Sequence, residues 1–189
     1  MKSGESTRGG RIPRETELSE NPDPLEQIRP DQLDMGIRLC SRNARRFLKD
    51  AELLYSRRSY GHALALSVLA LEEQGRKIML VALKRNLIQM DKELWRMMFR
   101  DHGQKLAMSF NIFTQTLKVK PPQEELERIY RSIPDAVAMK NRGLYVDFFK
   151  NSWHSPFDAD VKRAAEKLVP WVKGVIQKTD RWLLVSDLN

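Results

Sequence analysis

YGHALALSVLALEEQGRKIMLVALK, residues 60–84, decides the fold. At about 100° per residue, Leu64, Val68, Leu71, Gly75 and Ile78 line one side of a helix, while Leu66, Leu69 and Leu80 line the other. A helix that is apolar nearly all round belongs at the centre of a bundle, enclosed by its neighbours. Glu72 and Glu73 interrupt this pattern: Glu73 falls between Leu66 and Leu80, and Glu72 borders the first stripe beside Met79. An ionised carboxylate buried without partners is costly, so at least one of the two must find a cation or hydrogen-bond donors. A local solution is at hand, because Glu72–Arg76 and Glu73–Lys77 are both i,i+4 pairs in the favourable orientation.

Outward from this segment, apolar residues keep returning at helical spacing. Residues 31–57 carry Ile37, Cys40, Ala44, Phe47, Ala51, Leu54 and Tyr55 at steps of three and four, and SerArgArgSer at 56–59 breaks the helix. A third helix is expected over 92–117, ending before Pro121-Pro122. A fourth is expected over 123–153, with Pro134 either as a kink or in the first turn of a new helix. SerProPheAspAla at 155–159 starts a last helix to residue 185, bent at Pro170. The expected fold is all-α, an antiparallel bundle of four to five long helices with short connections. Residues 1–30 are rich in Gly, Pro, Ser and charge and read as a flexible tail, leaving 31–189 as one helical domain.

Bulk composition agrees with one domain: 189 residues, 41% of them hydrophobic. Lys and Arg number 33 against 25 Asp and Glu, a net charge of +8 spread along the chain, with a pI near 9.7. That excess permits RNA or another polyanion as partner without requiring one. The single cysteine, Cys40, cannot form an internal disulfide, and no Cys or His cluster has zinc-site spacing, so no metal or cofactor is expected. The chain reads as reduced and cytoplasmic. It carries neither an N-terminal apolar leader nor an apolar run near 18 residues, so no membrane partner is expected.

Two further polar intrusions enter apolar stripes. In FRDHGQKLAM, residues 99–108, His102 and Lys105 project with Leu94, Met98, Met108 and Ile112 on the side meant for the core. A hydrogen-bonded core histidine and a snorkelling lysine would account for them separately. A buried network with the carboxylates of 60–84 would account for them together. In KNRGLYVDFF, residues 140–149, Arg142 lies on the stripe of Ala138, Met139, Tyr145, Val146 and Phe149 and is expected to point inward or into an interface. Its simplest role is to neutralise Glu72 or Glu73 and lock the bundle.

These segments, in this order, resemble the AbiV family of bacterial abortive-infection proteins. The matching elements are EEQGRK at 72–77, HGQK at 102–105 and RGLYVD at 142–147, preceded by the Ala- and Leu-rich NARRFLKDAELLYSRRSYGHALALSVLALEE, so the likeness spans about 40–150. The resemblance implies a HEPN-like helical bundle. Active members of that superfamily are metal-independent ribonucleases that use Arg-x(4 to 6)-His, with two copies meeting across a homodimer. Here the corresponding place is Arg142 to Asp147, with aspartate at the histidine position. Such chemistry needs a base for the ribose 2′-hydroxyl and a cation for the phosphorane, and Asp147 is a poor acid at neutral pH unless its pKa is raised. A literal match at Arg96 and His102 puts the two side chains about 120° apart on a continuous helix.

The resemblance implies a phage-defence protein that impairs RNA metabolism or translation on infection. Two mechanisms follow. In one, a binding effector with a degenerate site engages RNA, a translation component or a phage protein, and Glu72, Glu73, Lys77, Lys105 and Tyr145 form its binding or structural polar core. In the other, a metal-independent endoribonuclease uses Arg142 for the phosphate, with His102 or Asp147 handling protons. The aspartate at 147 favours the first. A metal-dependent bundle enzyme built on Glu72, Glu73, His102 and Asp147 is a third class, but the Glu-x-x-His motifs of bundle di-metal sites do not occur. Trp153, Trp171 and Trp182 supply apolar surface for self-association.

Overall fold

The computed structural model describes residues 30–115, 122–149 and 151–185. The expected tail lies outside the described residues. Helix α1 spans Pro30–Ser56 and α2 spans Tyr60–Lys84. Both end in the same device. After α1, Arg58 takes a left-handed conformation (φ 62°), its N–H donates to the Tyr55 carbonyl and that of Ser59 to Leu54. After α2, Asn86 (φ 55°) and Leu87 repeat the pattern onto Leu83 and Ala82. These paired bonds satisfy carbonyls that the helix would otherwise leave open and turn the chain sharply.

Helix α2 is the axis of the bundle, packing against α1 and against three later helices, α4 (His102–Gln115), α6 (Ile133–Leu144) and α7 (Ala159–Val185). Sixteen of its 25 residues are buried, among them Glu72, Glu73, Gln74 and Lys77, which places it where an all-round apolar helix must lie. The main core joins Ala44 and Leu48 of α1, Val68 and Leu71 of α2 and Leu106 to Val172, Val175 and Ile176. Trp171 closes it against Phe110 and Phe113, with ring centroids 5.2 and 5.5 Å apart.

The expected third helix is two: α3, Lys92–Phe99, and α4, His102–Gln115. Asp101 makes the break, its Oδ1 accepting from the Gln104 N–H at 3.0 Å and capping α4. His102 therefore opens a helix instead of sitting within one. The end of the expected helix, 116–117, lies outside the described residues.

The expected fourth helix is also divided. Helix α5, Gln123–Arg131, gives way at Ser132 to α6, Ile133–Leu144, with Pro134 in its first turn as one of the expected alternatives. Helix α6 stops at Leu144, nine residues before the expected end, because Tyr145 turns extended (φ −125°, ψ 150°). Strands β1, Asp147–Phe149, and β2, Ser152–His154, then form an antiparallel hairpin in which Asp147 pairs with His154 and Phe148 with Trp153. Three-residue strands are too short to show alternation against a helical background. Helix α7, Ala159–Val185, completes the all-α bundle and continues through Pro170. Among the described residues, no helix is long and apolar enough to cross a membrane.

Candidate functional site

Two glycines let the site assemble. A Cβ on Gly75 would overlap the Lys105 carbonyl, so α2 and α4 cross backbone to backbone at this point. A Cβ on Gly61 would come within 2.7 Å of the Gly143 carbonyl oxygen, which brings the end of α6 equally close to the start of α2. Only residues without a side chain permit such approach.

At the first crossing, Glu72 is the hub. Its Oε2 lies 2.5 Å from His102 Nδ1, its Oε1 accepts from Lys140 Nζ at 2.9 Å, and Lys105 Nζ stands 3.7 Å from Oε2. His102 Nδ1 must donate to the carboxylate at that distance, so the 3.3 Å approach of Lys140 Nζ to the same nitrogen is a contact between donors. The side chains of Glu72, Lys105 and Lys140 are 3%, 2% and 9% exposed, whereas that of His102 is 48% exposed. Burial holds the Lys105 amine below its usual pKa, with Glu72 pulling the other way. A carboxylate contacted by three nitrogens, one from α4's first residue, one from the next turn of α4 and one from α6, pins α2, α4 and α6 together. The expected network of His102, Lys105 and a glutamate is present, but its fourth member is Lys140, not Arg142.

Glu73 pairs with Arg76 at 2.8 Å, three residues on, and not with Lys77. Arg76 also donates to the Met98 carbonyl at 3.1 Å and stacks on Phe99, 5.5 Å from the ring centroid. Cys40 lies beside this pair, and burial with the Glu73 charge raises its thiol to about 11, leaving an unreactive sulfur. Lys77 reaches instead to Asp180 of α7 at 2.6 Å, where Arg45 at 2.7 Å and Gln74 at 3.1 Å also donate. Burial alone would push the Asp180 carboxyl up; these donors overcome it and hold the pKa below the ordinary value.

Arg142 occupies a separate site at the hairpin. Its Nη2 is 2.7 Å from Asp160 Oδ2 and 3.9 Å from Asp158 Oδ2 and donates to His154 Nδ1 at 3.0 Å. Arginine only donates, so His154 Nδ1 accepts; its Nε2–H then donates to Ser152 Oγ, 2.9 Å away. The N–H of Ser155 foremost, with the Ser155 hydroxyl, keeps the Asp158 carboxyl low. The expectation that Arg142 neutralises Glu72 or Glu73 is overturned, because Lys140, two positions earlier on α6, faces α2 in its place. Tyr145, expected on a buried stripe, is 63% exposed since α6 ends before it. Asp147 heads β1, and its side chain lies outside the described residues. Arg96 turns to Asp101 at 3.8 Å, on the far side of the helix break from His102.

Sequence reasoning missed Lys140, His154, Asp158, Asp160 and Asp180. His154 stands twelve residues after Arg142, outside the window of four to six, and only the hairpin folds it back. Among the described residues, no three of His, Cys, Asp and Glu stand close enough to hold a metal ion.

Compared with known proteins, residues 32–177 match the family model described as AbiV, a HEPN-type domain. No curated protein and no solved structure matches the chain.

Proposed function

Because this chain belongs to the AbiV family of HEPN-like abortive-infection proteins, we propose that it defends the cell as a binding effector, arresting RNA metabolism or translation on infection by engaging a component of that machinery. The charge around Arg142 carries this reading. One guanidinium faces two carboxylates, Asp160 at 2.7 Å and Asp158 at 3.9 Å, so the pocket is net negative and would repel an RNA phosphate. In the Glu72 cluster the carboxylate is saturated and the two amines are enclosed, which leaves His102, half-exposed and tied to Glu72 through Nδ1, as its one group open to solvent. In this reading Glu72, Glu73, Lys77 and Lys105 are a structural polar core, and Tyr145 belongs to an exposed recognition surface. The protein acts in the cytoplasm as a homodimer of one-domain protomers. Tyr145, Val146, Phe148, Trp153 and Phe157, all more than half exposed, support self-association through the hairpin. Its targets are RNA, a translation component or a phage protein.

One contact favours a second reading. Arg142 touches His154, which sets a cation beside an imidazole and supplies from β2 the histidine that position 147 lacks. A ribonuclease of that kind would use Arg142 and His154, with His102 or Asp147 in support. Incubation of purified protein with labelled total RNA and tRNA, chelator present, separates the two. The effector reading expects intact RNA with folded wild type. Chelator-resistant cleavage that vanishes in both Arg142→Ala and His154→Ala would overturn it.

A further inference from the structure

A groove of about 760 Å³ runs between the first half of α1, the second half of α2 and the end of α3. Along α1 its wall is Met35, Leu39, Arg42 and Arg46. Steps of four, three and four residues bring all four side chains to one face, in a line of about 16 Å. Met35 and Leu39 are 52% and 45% exposed, an apolar pair left open to water, and Phe99 on α3 is 37% exposed across from them. Gly36 packs on Leu80 at the floor; a Cβ there would sit 3.2 Å from Leu80 Cδ1, which lets α1 settle deeply on α2 and leaves its outer face free.

The cations complete the pattern. Arg42 has no ion-pair partner among the described residues, and Arg46 reaches Asp50 only at 4.0 Å, with its side chain 80% exposed. Arg76, by contrast, is already satisfied by Glu73, the Met98 carbonyl and Phe99, so it shapes the floor without demanding a ligand. The line thus has an apolar half and a basic half whose one counter-charge is the exposed Asp50, 4.0 Å from Arg46, and its complement carries apolar groups followed by carboxylates. Aliphatic Met35 and Leu39 suit leucine-like side chains better than stacked bases. Three turns of helix match the length of the line.

We propose that this groove docks an acidic amphipathic helix of a partner protein, with apolar side chains on Met35, Leu39 and Phe99 and carboxylates on Arg42 and Arg46. The assignment rests on the binding-effector reading and names the surface that effector uses. Charge complementarity sets register and speeds encounter, while the apolar half supplies contact area.

The test uses the full chain and a fluorescein-labelled, stapled helical peptide of about 18 residues, with leucines four apart followed by glutamates at the spacing of Arg42 and Arg46, in both chain orders. Saturable micromolar binding by anisotropy is expected in one order. The dissociation constant should rise about tenfold or more in Arg42→Glu/Arg46→Glu and in Leu39→Asp, and should rise with salt. Circular dichroism melts confirm that these exposed substitutions leave the fold intact. Lys173→Ala, at an exposed cation outside the groove, should bind the peptide like wild type. No saturable binding in either order, or equal binding by the charge-reversed variant, overturns the proposal. So does a single-stranded oligoribonucleotide that binds with the same arginine dependence and excludes the peptide. The RNA-cleavage assay is scored apart: chelator-resistant cleavage with peptide binding intact would refute the effector reading and leave the groove assigned.

Discussion

Replacing Glu72 by glutamine removes one charge from a cluster with little access to water. Lys105 and Lys140 then remain beside each other, 2% and 9% exposed, with no carboxylate between them. Removing one partner of a buried ion pair costs roughly 3–5 kcal/mol, mostly because the other charge is left uncompensated. For a protein of this size that corresponds to a melting temperature lower by about 6–20 °C. The direction with pH follows from Lys105, whose folded pKa already lies below its unfolded value because of burial while Glu72 pulls it up. Without Glu72 it falls further, so the unfolded chain binds the extra proton and stability rises with pH between the folded pKa and the ordinary lysine value. Glu72→Gln should therefore lose most at pH 7 and recover part of the loss by pH 10, as read by urea unfolding at several pH values. Adding Lys140→Met to Glu72→Gln should restore stability, since it removes one of the stranded charges. The exposed pair Lys173–Glu52, 2.9 Å apart with side chains 53% and 41% exposed, is the control and should cost under about 1 kcal/mol when cut. A Glu72→Gln loss no larger than the control, or one that does not shrink as pH rises, would refute the buried-hub account.

Other outcomes follow from single contacts. Gly75→Ala must separate α2 from the Lys105 backbone and should cost about 3 kcal/mol or more, or prevent folding, by thermal melt. Cys40 should resist thiol reagents at pH 8 until the protein unfolds. Its thiol is raised to about 11 in the fold, so the unfolded chain ionises first and stability falls as pH climbs from 9 to 11; Cys40→Ala should lack that fall. Arg58→Gly should raise stability by about 1 kcal/mol, because the left-handed φ of 62° that closes α1 strains a residue with a Cβ. An unchanged or lower midpoint would show that the arginine side chain compensates elsewhere.

Arg142 is the residue on which the two proposed readings divide. It sits at the last turn of α6 with its guanidinium committed to α7 and the hairpin, a geometry in which phosphate would have to compete with Asp160. The family match covers both this site and the Glu72 hub, and the structure gives them different partners, Lys140 to Glu72 and Arg142 to Asp160 and His154.

Helix α2 was legible because all-round apolarity is a local property, and with it came the central position, the break within 56–59, the end at Lys84, and the requirement that Glu72 be compensated. Pro134 marked the start of α6 for an equally local reason. The break at Asp101 carried a local sign too, an N-cap before Gly103, but the apolar period ran across it and hid it. What only the tertiary structure decided is partnership. Lys140 and Arg142 are two positions apart, hence about 200° apart around α6, and which one meets Glu72 depends on how far α6 runs and how Gly143 seats it on Gly61. Lys77 finds Asp180 across 103 residues, and His154 reaches Arg142 only because a hairpin follows Leu144. A sequence states that a buried charge needs a counter-charge, because desolvation acts on each residue alone; which counter-charge arrives is set by helix rotation and crossing, and these exist only once the bundle has packed.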